Sequence, residues 1–150
     1  MTLESRELKT AAVTEALGAA VGRALKAGDV VCLWGPLGAG KTTLARGLIR
    51  ALTRPDEEAP SPTFTLVQTY DGPEFAVAHL DLYRLSGPDD VRELGLDEVL
   101  EEGAAVIEWP ERLEGRLPPD RLDIRLRTLG EGRVAELERH GRWKDRRIEF

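Results

Sequence analysis

Eight consecutive residues, Gly35-Pro36-Leu37-Gly38-Ala39-Gly40-Lys41-Thr42, limit the possible folds of this chain more than any others. They satisfy the pattern G-x-x-x-x-G-K-[ST] without gap or substitution. Their flanks agree with it. An apolar run, residues 29–34 (DVVCLW), enters the loop, and a helical pattern, residues 41–52 (KTTLARGLIRAL), leaves it. A strand, a glycine-rich loop and a helix in that order turn backbone N–H groups inward and aim a helix N-terminus at a bound anion. In that setting Lys41 reaches the β- and γ-phosphates of a nucleotide, and the Thr42 hydroxyl is placed to ligate magnesium. The motif therefore predicts a nucleoside triphosphate site inside an α/β fold.

Composition bounds what surrounds the loop. The 150 residues suit one domain, residues 1–150, large enough to bury a core. With 41% hydrophobic and 32% charged residues the chain reads as folded rather than disordered. No apolar run approaches the roughly 20 residues that span a bilayer, and the N-terminus (MTLESRELKT) lacks the apolar centre of a signal peptide, so a cytoplasmic location is expected. The one cysteine, Cys32, lies inside the apolar strand, where it acts as a small hydrophobe. A net charge of −6 argues against a protein that grips nucleic acid by itself. The C-terminus is locally basic (Arg139, Arg142, Lys144, Arg146, Arg147, with Trp143 among them), and is expected to be a solvated tail rather than an RNA contact. The chain has no asparagine, so it cannot carry the Asn-Lys-x-Asp segment that reads guanine in many GTP-specific proteins. ATP is the expected nucleotide.

Periodicity supplies the remaining elements. Residues 8–26 carry apolar positions at helical spacing, ended near Gly28, and residues 53–62 are turn-rich. Residues 63–70 and 74–80 read as strands, 89–100 as a helix, and 104–107 as a buried parallel strand. Leu122, Ile124 and Leu126 alternate, Gly130-Glu131-Gly132 turns the chain, and residues 134–137 return as a hairpin. The expected fold is α/β: a P-loop NTPase-like three-layer sandwich. Its central sheet is mostly parallel, with helices on both faces and a C-terminal antiparallel hairpin.

Two acids end predicted strands, Asp81 after EFAVAHL and Glu108 after AAVI. Ligands of parallel sheets sit beyond the carboxyl ends of the strands, so both should face the loop, one for a metal and one for the attacking water. The competing reading of each is an ordinary strand-end cap. Ser61-Pro62-Thr63-Phe64 occupies the place of a γ-phosphate-sensing switch, or is a plain turn. His79 is expected to support the site or the core rather than react, Trp34 to lie under the loop, and His140 to have no partner.

Four segments together, GPLGAGKTT, SPTFTLVQTY, HLDLYRL and IEWPE, resemble the TsaE (formerly YjeE) family, small P-loop ATPases needed to make threonylcarbamoyladenosine in tRNA. ELGLDEVL and the Leu117-Pro118-Pro119 segment extend the resemblance over about residues 8–140. It implies that Gly35, Pro36, Leu37, Gly38, Ala39, Gly40, Lys41, Thr42 and Thr43 bind ATP, with Thr42 on Mg2+. Glu108 would be the second protein group near the metal, and Asp81 the Walker B-like residue needed for hydrolysis. Ser61 and Thr63 would lie in the switch-like loop, Thr14 near the base, and Arg133 near the nucleotide.

The resemblance also implies partners. TsaE-like ATPases act with the TsaD–TsaB pair, which transfers a threonylcarbamoyl group to a tRNA adenosine beside the anticodon, and ATP turnover resets that machinery. Contact with tRNA would then be indirect. Tyr83, Arg84 and Trp109 would either link nucleotide state to a partner surface or simply fill space. Two other classes share the loop. One is a P-loop small-molecule kinase, which needs an arginine-rich lid; Arg121, Arg125 and Arg127 alternate on a predicted strand instead. The other is a non-hydrolysing nucleotide-dependent binding module, which would not need two strand-end carboxylates.

Overall fold

The computed structural model describes residues 3–62, 66–85, 95–113 and 115–150. In chain order its elements are β1 (Leu3–Leu8), α1 (Ala11–Ala24), β2 (Val30–Trp34), α2 (Lys41–Leu52), β3 (Val67–Asp71), β4 (Ala76–Asp81), α3 (Leu96–Glu102), β5 (Ala104–Glu108), β6 (Arg121–Leu129) and β7 (Gly132–Arg139). Two 3-10 turns, Pro110–Leu113 and Gly141–Asp145, complete the described elements. All seven strands join one sheet in the order β1-β7-β6-β2-β5-β4-β3.

Strand β2 is apolar nearly throughout because both of its faces are covered. It lies between two parallel neighbours, β5 and β6, and β4 extends the parallel block beyond β5. The edges differ: β3 pairs antiparallel with β4, β6 with β7, and β7 with β1. Three of the six ladders are therefore antiparallel, and the sheet is mixed rather than mostly parallel. The C-terminal hairpin, β6–β7, forms as expected.

Alternation along β2 sorts the core into two layers. Val31 and Leu33 join Leu17, Val21, Leu44 and Leu48 beneath α1 and α2. Val30 and Cys32 join Leu80, Ile107, Leu96 and Leu113 on the opposite face, beneath α3. Burial pushes the Cys32 thiol far above the ordinary range, which leaves it protonated and unreactive.

Helices α1 and α2 meet backbone to backbone. A Cβ on Gly18 would lie 2.0 Å from the Leu44 carbonyl oxygen, and one on Gly47 would lie 2.0 Å from that of Glu15. Thr10 caps α1 by accepting the Val13 N–H at 3.2 Å.

Several expectations need correction. Residues 3–8 form an edge strand, and α1 starts at Ala11 rather than near residue 8. Leu3-Glu4-Ser5-Arg6-Glu7-Leu8 has no clean alternation, and pairing with β7 alone makes it a strand. The third strand begins at Val67, and α3 runs from Leu96 to Glu102. The expected strand start at 63–65 and helix start at 89–94 lie outside the described residues.

The basic C-terminus is not a solvated tail. Trp143 is fully buried in the helix-side core. Arg146 pairs with the buried Asp29, Arg139 donates to Glu4 at 2.9 Å, and the Arg142 N–H donates to Asp120 at 2.9 Å. Of these carboxylates Asp29, just before β2, is fully buried and is the one that most needs a cationic partner. Trp34 does not lie under the loop: its indole N–H donates to Asp123 at 2.9 Å, and the Arg125 guanidinium stands over its ring. His140 does have a neighbour, its Nε2 being 3.0 Å from Asp123. Arg121, Arg125 and Arg127 alternate on β6 as expected, each beside a carboxylate.

Two substitutions probe this packing. Gly47→Ala gains helix propensity of about 1 kcal/mol, but its methyl must displace the Glu15 backbone, so a net loss of about 1–3 kcal/mol in urea unfolding is expected. Trp143→Ala is expected to cost about 3–5 kcal/mol; a change within experimental error would mean that the C-terminal turn is dispensable to the core.

Candidate functional site

Register places the site. In the parallel β2–β5 ladder Leu33 lies opposite Glu108, and in the β4–β5 ladder Asp81 lies opposite Glu108. The glycine-rich loop therefore leaves β2 at the same sheet edge where both acids emerge. Helix α2 starts at Lys41 with Gly40 as its cap, at φ 105°, a left-handed conformation that suits glycine. Gly35 is required for a different reason: a Cβ there would lie 2.5 Å from the Leu126 carbonyl oxygen, so the loop sits directly on β6.

The Lys41 ammonium is drawn into the loop. It donates to the Gly35 carbonyl and, at 2.9 Å, to that of Pro36, and stands 3.9 Å from the centre of the Trp109 ring. Burial pushes it below the ordinary lysine range, while Glu108, Glu111 and Asp81 pull the other way. The Thr42 hydroxyl donates to Glu108 and shares its proton between Oε1 at 3.0 Å and Oε2 at 3.1 Å. Glu108 is only 3% exposed, and its Oε2 also lies 2.6 Å from Nε2 of the fully buried His79. Asp81 accepts the Ser61 hydroxyl at 2.9 Å and the Tyr83 N–H at 3.1 Å.

Two non-glycine residues with positive φ border these acids. Trp109, at φ 61°, directly follows Glu108; Leu66, at φ 65°, accepts the Asp81 N–H with its carbonyl. Such conformations cost about 1–3 kcal/mol each and collect at functional sites. Trp109 also meets Tyr83, with ring centres 4.8 Å apart. Its indole thus forms part of the site wall, over Lys41.

These groups line a cleft of about 600 Å³. Thr14, Leu37, Gly38, Gly40, Lys41, Thr42, Thr43, Asp81, Glu108 and Arg133 all border it. Arg133 donates to the Gly38 carbonyl at 2.9 Å and ties β7 to the loop. Gly35 and Pro36 contribute through the carbonyls that hold Lys41, and Ala39 is buried in the helix-side core. Leu37 is 71% exposed at the loop tip. Thr63 lies outside the described residues.

The sequence reading missed one wall of the cleft. Leu8, Lys9 and Thr10 line it, together with Gly132. Thr10 before an apolar-periodic run is a helix-cap signal that could have marked this entry, but nothing in residues 3–7 marks the strand that carries it. The contact between His79 and Glu108 was missed as well, because alternation gives a face and not a partner. Chemically, the cleft offers loop N–H groups and an ammonium for phosphate oxygens. One hydroxyl and two carboxylates form an all-oxygen set suited to a hard divalent cation.

The TsaE family model, described as "Threonylcarbamoyl adenosine biosynthesis protein TsaE", matches residues 8–135. The Treponema pallidum protein described as tRNA threonylcarbamoyladenosine biosynthesis protein TsaE is 42% identical over 125 residues, covering 83% of this chain and 91% of that one. Proteins with the same description from Mycobacterium tuberculosis (43% over 128 residues, 77% and 74% of the two chains) and Rickettsia felis (38% over 120 residues, 80% and 70%) agree. The crystal structure of Bacillus subtilis YdiB matches with a TM-score of 0.77 at 30% identity, over 93% of this chain and 87% of that one. With a family match across most of its length and relatives at this identity, the chain belongs to the TsaE family, whose members serve threonylcarbamoyladenosine biosynthesis.

Proposed function

We propose that this chain binds ATP with Mg2+ in the cleft at the carboxyl edge of its sheet and hydrolyses it. The observation that carries the reading is the Thr42–Glu108 contact beside Lys41, with Asp81 on the adjoining strand. The fold is then a P-loop NTPase-like sandwich forming one domain. Loop N–H groups and the α2 N-terminus receive the phosphates, and Lys41 exchanges the Gly35 and Pro36 carbonyls for β- and γ-phosphate oxygens. Thr14, Thr43 and Arg133 border the rest of the nucleotide, with Thr63 in the adjacent switch-like loop.

Thr42, Glu108 and Asp81 would hold the magnesium, which when bound neutralises charge on the phosphate oxygens. Glu108 accepts the Thr42 proton and thereby leaves the hydroxyl lone pairs free to face a cation. Asp81 orients the water that attacks the γ-phosphorus; Ser61, now on its carboxylate, is the group that must yield or share it.

In the cell this ATPase serves threonylcarbamoyladenosine formation by resetting the TsaD–TsaB transferase between turnovers. Its net charge of −6 fits a protein that reaches tRNA through those partners in the cytoplasm. The alternative, phosphoryl transfer to a small molecule, is separated by the products: hydrolysis to ADP and phosphate without any phosphorylated metabolite supports the ATPase.

The first test is ATP turnover by the purified chain, alone and with TsaD–TsaB. Slow turnover that changes when the pair is added supports the role, and unchanged turnover argues against the coupling. Lys41→Ala is expected to abolish nucleotide binding or turnover. Glu108→Gln is expected to keep most ATP binding, measured by calorimetry, while turnover falls about 10–100-fold. Turnover at the unsubstituted rate in that variant would remove Glu108 from the mechanism.

A further inference from the structure

His79 is buried with one ring nitrogen partnered and the other not. It is fully inaccessible on β4, two residues before Asp81, and it projects to the helix side as Val77 does. One nitrogen, Nε2, is 2.6 Å from Oε2 of Glu108. The other, Nδ1, has no hydrogen-bond partner among the described residues.

That asymmetry identifies the donor. A carboxylate oxygen can only accept, so a bare Nε2 lone pair at this distance would face another lone pair. Against a carboxylate, the contact is a hydrogen bond only in the state that carries hydrogen on Nε2. An unmet buried polar atom costs about 1–3 kcal/mol, and Nδ1 is left in that position. A leucine or phenylalanine there would avoid that cost but would take from the buried Glu108 the donor that Nε2 supplies.

What it does follows from the geometry of Glu108. The side chain ends a strand, and among the described residues two donors reach it, Thr42 from α2 and His79 from β4. Thr42 spreads one proton over both oxygens and so does not choose between them. His79 reaches Oε2 alone and breaks that symmetry, pinning the carboxylate plane and leaving Oε1 as the less encumbered oxygen.

We propose that His79 is the positioning residue for Glu108: Nε2–H donates to Oε2 and holds the carboxylate in the orientation that receives Thr42 and a divalent cation. This rests on the ATP–Mg2+ reading of the cleft. Removing such a supporting donor typically costs 10–100-fold in metal affinity.

Two measurements test it. The first needs no nucleotide. Long-range proton–nitrogen NMR of the unsubstituted chain, which has only two histidines, is expected to show hydrogen on Nε2 of His79 and a displaced Nε2 resonance in Glu108→Gln. A bare Nε2 overturns the proposal, whatever the cleft binds. The second follows Mg2+ titrated into the chain with ADP by calorimetry. His79→Leu is expected to raise the half-saturating Mg2+ concentration about 10–100-fold, with ADP affinity in EDTA unchanged. His79→Gln, whose amide reaches the Nε2 position, should recover most of the loss. In a Glu108→Gln background, His79→Leu should add little, because both act through one group. A folded His79→Leu with the unsubstituted Mg2+ dependence overturns the proposal; if that variant does not fold, the NMR result decides. Absence of any Mg2+-dependent nucleotide binding in the unsubstituted chain, with Nε2 still protonated, would instead overturn the cleft reading and the metal role together.

Discussion

Two parallel ladders, β2 with β5 and β2 with β6, decide where everything else in this protein sits. The first puts Leu33 level with Glu108, so the loop that follows Trp34 opens beside that carboxylate. The second brings the Leu126 carbonyl against Gly35, where no side chain would fit. A slip of one residue in either ladder would reverse the faces of a strand. In the β2–β5 ladder such a slip would turn Glu108 away from the loop and carry it into the apolar layer beneath α3. The buried polar groups His79, Asp81 and Glu108 are what make such a slip costly, because the uniformly apolar β2 would bury equally well in either register.

The helices lock this arrangement from one side. Gly18, Gly22 and Gly47 let α1 and α2 approach until backbone meets backbone, which carries the first turn of α2 close to Thr14. Lys41 and Thr42 are therefore held from two directions, by the sheet through β2 and by α1 through α2. Arg133 adds a third tie by binding the Gly38 carbonyl from β7. The positive-φ residues Leu66 and Trp109 stand beside the two acids that this frame delivers. Local strain of that kind persists only where surrounding packing over-determines it.

Much of this was legible in one dimension. The loop pattern with its flanks located β2 and α2, whose observed bounds agree with the residues read as strand and helix. An apolar run ending in an acid located β5 and Glu108, and alternation around Gly130-Glu131-Gly132 located the hairpin. These signals are local: a glycine, a period and a charge lie within a few residues of one another. Strand β1 carries no such signal, because three of its six residues are charged and its ladder partner among the described residues, β7, lies more than 120 residues away in sequence. The basic C-terminus misled for a related reason. Arginines read as solvated until the buried carboxylate they neutralise, Asp29, is brought beneath them.

The sequence by itself determined the family to which this chain belongs and marked most of the polar residues that line its cleft, because glycines, a lysine, a threonine and strand-ending acids form local patterns readable without a fold. Only the tertiary structure decided which of those residues meet. Strand order put Glu108 between Thr42 and His79, gave Asp81 to Ser61, and formed the second wall of the cleft from β1 and β7. Periodicity assigns a side chain to a face, whereas a hydrogen bond needs a partner on another strand at a particular register. That register is a property of the assembled sheet.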